Sequence, residues 1–200
     1  IGNIPEAETY GIELEGSYLT FNDQLMLGGN MAMLDGEVTA DYVALDRRLA
    51  DLAGDEAVNS GATYPWSYDW FLARQSAGVQ VEGNTPPNLA DLTYNLYAAW
   101  FQPVGDHGEL TSRIENVYVG EYEARIFNTA GADDVPSYSL WNAYFQYQPN
   151  EAPWFVSASI TNIGDEEGIS GRFVDPYSSG TVSNEYVPPR QLLVTFGFEF

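Results

Sequence analysis

The chain has 200 residues, with 29 acidic against 7 basic side chains and a formal net charge of -22. Binding a phosphate backbone needs positive charge, so a nucleic-acid partner is excluded; with no cysteine, disulfide staples and thiolate chemistry are excluded too. At 44% hydrophobic and 14% aromatic residues, the chain is too apolar for low-complexity disorder and long enough for one large domain or two small ones.

No run approaches the roughly 20 apolar residues of a membrane-spanning helix. Ile1-Gly2-Asn3-Ile4 does not read as the start of a signal peptide. Helical periodicity is confined to one short stretch, residues 42–51, where Val43, Leu45 and Leu49 stand among charges. Elsewhere the pattern has period two, in segments of about ten residues, which is the spacing of barrel strands.

The first segment, residues 8–21, places Tyr10, Ile12, Leu14, Gly16 and Tyr18 on one face and Gly11, Glu13, Glu15 and Ser17 on the other. A tight turn at 22–24 leads to the second, 25–34, with Leu25, Leu27, Gly29, Met31 and Met33 on one face. The polar stretch that follows, to about residue 88, is too long for an ordinary connection in a compact domain. The third segment, 89–102, alternates Leu92, Tyr94, Leu96, Ala98 and Trp100 against Asp91, Thr93 and Asn95. A short turn at 103–109 precedes the fourth, 110–122, whose faces are mixed, and a loop at 123–136 follows. The fifth, 137–148, sets Trp141, Ala143, Phe145 and Tyr147 against Asn142, Tyr144 and Gln146. After a turn at 149–153, the sixth, 154–163, sets Val156, Ala158 and Ile160 against Ser157, Ser159 and Thr161. A long loop at 164–189 leads to the last segment, LLVTFGFEF, where Leu192, Val194, Phe196, Phe198 and Phe200 oppose Leu193, Thr195, Gly197 and Glu199.

The connections alternate between short and long, so an up-and-down sheet would carry all short turns at one end and all long loops at the other. Alternation alone fits equally an antiparallel sandwich with one buried face. Sorted loops and an aromatic C-terminus instead point to an all-β, antiparallel up-and-down transmembrane β-barrel, with short periplasmic turns and long extracellular loops. About seven strands of it are expected in this chain. Glu13, Glu15, Asp91, Asn95, Asn142 and Glu199 would face a wet lumen, and Tyr10, Tyr18, Trp100, Trp141, Tyr147 and Trp154 would form interfacial girdles.

Little in the sequence points to catalysis, and the chain is not expected to be an enzyme. His107 is the only histidine, in a short Gly-Asp-His-Gly turn, and reads as a solvated side chain without partners for a metal site. Paired carboxylates are too abundant to mark a general acid and base. Three acidic groups could offer oxygen ligands to Ca²⁺: Asp35, Glu37, Asp41 and Asp46; Asp133 and Asp134; Asp165, Glu166 and Glu167. None has the spacing of a calcium loop, so solvated loop charge is the expectation and no metal is assigned. In the longest loop, Tyr64, Trp66, Tyr68 and Trp70 alternate just before Phe71. They form either an exposed platform for a sugar or aromatic ligand, the loop's own small core, or the top of an extended strand.

Four stretches carry a family resemblance. AETYGIELEG (7–16), TNIGDEE (161–167), DPY with YVPPR (175–177 and 186–190) and LLVTFGFEF resemble, in order, four features of the C-terminal part of TonB-dependent outer-membrane receptors. These are a small-x-x-x-Gly-x-Glu-x-Glu strand, the Asn-hydrophobic-x-Asp turn ending the penultimate strand, the last external loop with its Pro-Pro-Arg, and the terminal strand. The resemblance implies that residues 1–200 are the C-terminal part of a barrel in the outer membrane of a Gram-negative bacterium. It implies active uptake of a scarce nutrient such as an iron-siderophore, cobalamin or an oligosaccharide, with no cofactor. The implied partners are the bilayer and its lipopolysaccharide, the TonB complex acting through an N-terminal plug, the barrel-assembly machinery and a small-molecule ligand. Phe196, Phe198 and Phe200 would be the assembly signal, and Tyr64, Trp66, Tyr68 and Trp70 would meet the ligand first. The sequence departs from the family in showing no plug and no coupling box. Seven strands would leave two open edges in lipid, so the chain is expected to be a piece of a longer receptor. A porin-like channel, or a secreted carbohydrate-binding sandwich using Trp66 and Trp70, are the other readings.

Overall fold

The computed structural model describes residues 3–175 and 181–198. In chain order the elements are β1 (Ala7–Thr20), β2 (Leu25–Val38), β3 (Val43–Leu45), α1 (Arg47–Asn59), α2 (Tyr68–Gln75), β4 (Gly78–Gln80), β5 (Leu92–Pro103), β6 (Gly108–Val119), β7 (Tyr122–Glu123), β8 (Asp134–Val135), β9 (Tyr138–Pro149), β10 (Trp154–Thr161), β11 (Ile169–Val174), β12 (Val182–Tyr186) and β13 (Gln191–Phe198). Seven of these strands form a single antiparallel sheet in the order β1-β2-β5-β6-β9-β10-β13. The sheet is not closed on itself: β1 and β13 are its two edges. The remaining strands pair as three small hairpins, β3 with β4, β7 with β8 and β11 with β12. All three lie in the long connections, and so at one end of the sheet.

The short turns are built for reversal. Phe21, Asn22 and Asp23 all take left-handed backbone angles, with φ of 53°, 54° and 66°. Asn and Asp tolerate that region better than most residues. The turn between β5 and β6 uses Gly105 at φ 57°. His107 is exposed there; its backbone carbonyl accepts the Asn150 amide at 3.0 Å and ties this turn to the next.

Register fixes the faces, because a slip of one residue would exchange them. One row crosses the whole sheet: Tyr18, Leu27, Ala98, Ile114, Ala143, Ile160 and Leu192 lie directly opposite one another in sequence. The adjacent row on the other face includes Ser17, Gly28, Tyr97, Glu115 and Asn142. The mixed pattern of the fourth sequence segment is resolved here. Asn116 lies on the apolar face yet is buried, because its amide donates to Ser139 Oγ at 2.8 Å and to the Leu140 carbonyl at 3.1 Å. Apolar side chains interrupt the polar face at several positions, among them Leu19, Met26, Phe101, Phe155 and Leu193.

Among the described residues no second layer covers the apolar face. Ile12, Leu14, Leu27, Leu96, Ile114, Phe145, Leu192, Val194, Phe196 and Phe198 are all exposed. In water each would forfeit about 1.5–3 kcal/mol of burial, so this face suits lipid rather than solvent. Aromatic rings band it near the short turns: Phe21 to Trp100 at 6.1 Å, Tyr147 to Trp154 at 5.9 Å and Trp154 to Phe196 at 5.8 Å between centroids. Toward the other end Tyr94 stacks on Tyr118 at 5.1 Å. Buried apolar residues gather instead among the long connections: Ala50, Trp70, Val81, Ala132, Val135, Val174 and Val187. This is a wall with a packed cap, not a sandwich.

The cap corrects several sequence expectations. The single helical stretch, 42–51, divides into β3 and the start of α1, which runs on to Asn59. Helix α2 was not expected, and the aromatic alternation that suggested a strand ends where Ser67 caps it, its hydroxyl accepting the Trp70 amide at 3.1 Å. Among the described residues no helix is long and apolar enough to cross a membrane. Glu199, Phe200, Pro176 and Tyr177 lie outside the described residues.

Candidate functional site

Two surfaces could meet a ligand: the polar face of the sheet and the cap. On the polar face, the Asn95 amide donates to Glu115 Oε1 at 2.7 Å, and the Arg113 guanidinium reaches the same oxygen at 3.2 Å. Arg113 also lies 4.0 Å above the Tyr97 ring. Facing strands bring Glu15, Ser17 and Asn30 beside this group, lining a groove of about 300 Å³. The chemistry is hydrogen bonding, with no nucleophile-base pair.

The cap is tied together by charge. Asp46 and Asp133 are both 0% exposed, and both bind Arg125. Arg125 Nε donates to Asp133 Oδ1 at 2.6 Å, and its terminal nitrogens donate to Asp46 at 3.0 and 3.4 Å. Asp46 also caps α1 by accepting the Arg48 amide at 2.9 Å, and Asp133 accepts the Thr129 amide at 2.8 Å. Burial alone would lower the Arg125 pKa, but the hydrogen bonds and charges of the two carboxylates outweigh it and hold it above its ordinary value. This corrects the expectation of solvated charge at Asp46 and Asp133. Two of the acidic groups set apart as possible calcium ligands each give a member to the same guanidinium. Among the described residues no group of three or more acidic or histidine side chains is placed to hold a metal.

A polar face backed by an exposed apolar one, with every long connection at one end, is the arrangement that the wall of an outer-membrane barrel requires. The sequence model described as TonB dependent receptor-like, beta-barrel, matches residues 1–163. The chain belongs to the TonB-dependent receptor β-barrel family. Solved receptors share the fold at low identity. The ferric yersiniabactin uptake receptor FyuA of Yersinia pestis is 15% identical, with TM-score 0.68, covering 97% of this chain and 24% of its own. The siderophore receptor PiuA of Acinetobacter baumannii is 16% identical, with TM-score 0.63, covering 95% and 21%. The ferric citrate transporter FecA, unliganded, is 16% identical, with TM-score 0.62, covering 95% and 24%. The chain therefore spans about a quarter of these receptors or less. No curated protein sequence matches significantly.

Membership in the TonB-dependent receptor family places the chain in the Gram-negative outer membrane and orients the wall. The short turns are periplasmic, the apolar face meets lipid, the Arg113 groove faces the lumen and the cap is external. It also explains a receptor motif in atoms. In TNIGDEE, Asn162 is buried with φ 50° and closes its own turn, accepting the Glu166 amide at 2.8 Å. Its amide donates to the carbonyls of Glu166 and Pro188, both at 3.0 Å, and so anchors the Pro-Pro-Arg segment ahead of β13. Asp165 Oδ1 accepts the Arg190 amide at 2.8 Å.

The aromatic candidates do not act as one face. Trp70 is 8% exposed, closed in by Gly54 and by Arg74, which lies 4.5 Å above its ring. A Cβ at Gly54 would come within 2.8 Å of Trp70 Nε1, so the two helices can meet only across a glycine. Trp66 is 77% exposed and sits against Trp70 at 4.9 Å. Tyr64 and Tyr68 are exposed, and neither is among the residues lining the cavity beside this pair. Arg125, Arg113 and Asn162 were missed as organising residues. Asn162 alone had a sequence signal, in the turn motif.

Proposed function

We propose that this chain is the C-terminal part of the barrel of an active outer-membrane receptor, which takes up a scarce nutrient with energy delivered by the TonB complex through an N-terminal plug. Supporting this reading most directly is the seven-stranded wall itself, with one lipid face, one polar face and long loops sorted to one end, within a family of such receptors. Residues of the cap make first contact with the ligand, and the luminal groove around Arg113, Asn95 and Tyr97 lines its route. β13 closes the barrel by pairing with the first strand, and its aromatic end is the signal to the assembly machinery.

The nutrient is an iron-siderophore, cobalamin or an oligosaccharide. Solved neighbours named for a siderophore, ferric yersiniabactin or ferric citrate make ferric siderophores the first to test. The test uses cells whose only uptake route for a labelled nutrient is the full-length receptor, with and without an intact TonB complex. Uptake that needs both supports the proposal. Uptake that persists without TonB, at a rate linear in concentration, contradicts it and favours a porin-like channel.

A further inference from the structure

We propose that the external helical hairpin carries a saccharide subsite: the notch beside the Trp66–Trp70 pair takes a pyranose ring, stacked on the exposed Trp66 and hydrogen-bonded by Asp55 and Asn59. The proposal rests on the reading of the cap as the receptor's first contact and narrows the ligand class there.

The notch is a built cavity of about 430 Å³ lined by Asp55, Val58, Asn59, Pro65, Trp66 and Trp70. That is within the size range of small-ligand sites. The two indoles meet at 45° with centroids 4.9 Å apart, forming two apolar walls. One wall is fixed, since Trp70 is buried and held by Arg74 and Gly54. The other is offered to solvent. Trp66 has φ 65°, an uncommon backbone state for a bulky residue, and strain of this kind concentrates at ligand clamps.

Asp55 and Asn59 stand at i and i+4 on α1, so they share a face. Neither side chain has a protein hydrogen-bond partner among the described residues. A carboxylate accepts from two vicinal hydroxyls, and an amide both donates and accepts, while the C–H face of a sugar suits an indole. The charge around the notch selects against the alternative ligand. Asp51, Asp55 and Glu56 on α1 and Asp69 on α2 are acidic. Of the three arginines on the two helices, Arg47 and Arg74 are engaged by Asp51, and Arg48, in the first turn of α1, is not among the residues lining the notch. The residues lining the notch include one carboxylate and no cation, which disfavours an anionic ferric chelate there, whereas a neutral ring meets no penalty.

The ring could come from a free oligosaccharide or from the sugars of lipopolysaccharide in the surrounding leaflet. The test is calorimetric titration of the full-length receptor in detergent with maltotriose, xylotriose, chitotriose and purified lipopolysaccharide. At least one probe should bind, with Trp66→Ala weakening it tenfold or more, Asp55→Asn at least threefold, and Gln75→Ala, an exposed position of α2 away from the notch, leaving it unchanged. A trisaccharide that binds identifies free sugar as the source; lipopolysaccharide alone identifies the leaflet. No binding by any probe, or binding indifferent to Trp66→Ala, overturns the subsite. Parallel uptake assays separate the two proposals. Sugar binding lost in Trp66→Ala without TonB-dependent uptake of any nutrient keeps the subsite and overturns the transport reading. TonB-dependent uptake with no sugar binding does the reverse.

Discussion

Asp46 and Asp133 show how single residues hold the external cap. Both are wholly buried and both end on Arg125, 79 positions from Asp46 in sequence. Breaking a buried ion pair by removing one partner costs about 3–5 kcal/mol, because the other charge is left without compensation. Arg125→Met should therefore loosen the cap while sparing the wall. The readout is faster protease nicking between residues 39 and 91, with an unchanged barrel band on gels. Glu123 gives the cap a pH dependence. Burial raises its pKa, and the charges of Asp133, Asp134 and Glu121 raise it further; its Oε2 is buried without a partner. Folding thus favours the protonated form, so its contribution is complete below the ordinary carboxylate range and is lost as pH rises through the raised value. Glu123→Gln should slow hydrogen exchange of β7 and β8 at pH 7 and change little at pH 4. None of this was legible from sequence, where acidic residues are so abundant that a buried pair looks like any other. The partner on Arg125 is fixed only by tertiary packing.

Elements of the wall were legible because of its thickness. A single sheet between lipid and water leaves every residue on one side or the other, so period two survives along the whole strand. Strands β1, β2, β5, β6, β9, β10 and β13 fall where alternation placed them, and the even-numbered face of β13 is the apolar one. The cap obeys no such constraint. α1 is interrupted in pattern by Gly54, and α2 is only eight residues long. Its aromatic run mimicked a strand until the Ser67 cap turned it. Two substitutions test how the last strand is held. Asn162→Ala removes three hydrogen bonds, two that close the 162–166 turn after β10 and one that ties this turn to Pro188 on the approach to β13. At about 0.5–1.5 kcal/mol each, the loss should raise exchange at 162–168 and 187–190 well above that of the wall. Gly197 lies directly opposite Phe155, whose ring occupies the space a Cβ would need. Gly197→Val should lower the yield of assembled, heat-modifiable barrel, whereas Thr195→Val on the same face should not.

Over the whole molecule, the net charge of -22 and the apolar sheet are reconciled by location. Acidic side chains occupy the cap and the lumen, while the lipid face carries none across its middle rows. Both edge strands keep one row of unpaired backbone groups in this chain, and in lipid each such group costs several kcal/mol. The faces make unequal demands on substitution. Leu96→Arg should destabilise the receptor by about 2–4 kcal/mol, the cost of a cation on the lipid side near midplane, and Asn95→Arg by far less. The chain has no cysteine, so single cysteines can be introduced along β5 at positions 93–100 of the full receptor in a cysteine-free background. Labelled with a fluorophore in a bilayer containing quencher-bearing acyl chains, positions 94, 96, 98 and 100 should be strongly quenched and 93, 95, 97 and 99 weakly. Quenching in the opposite phase, or with no alternation at all, would contradict the assignment of this sheet as a membrane wall.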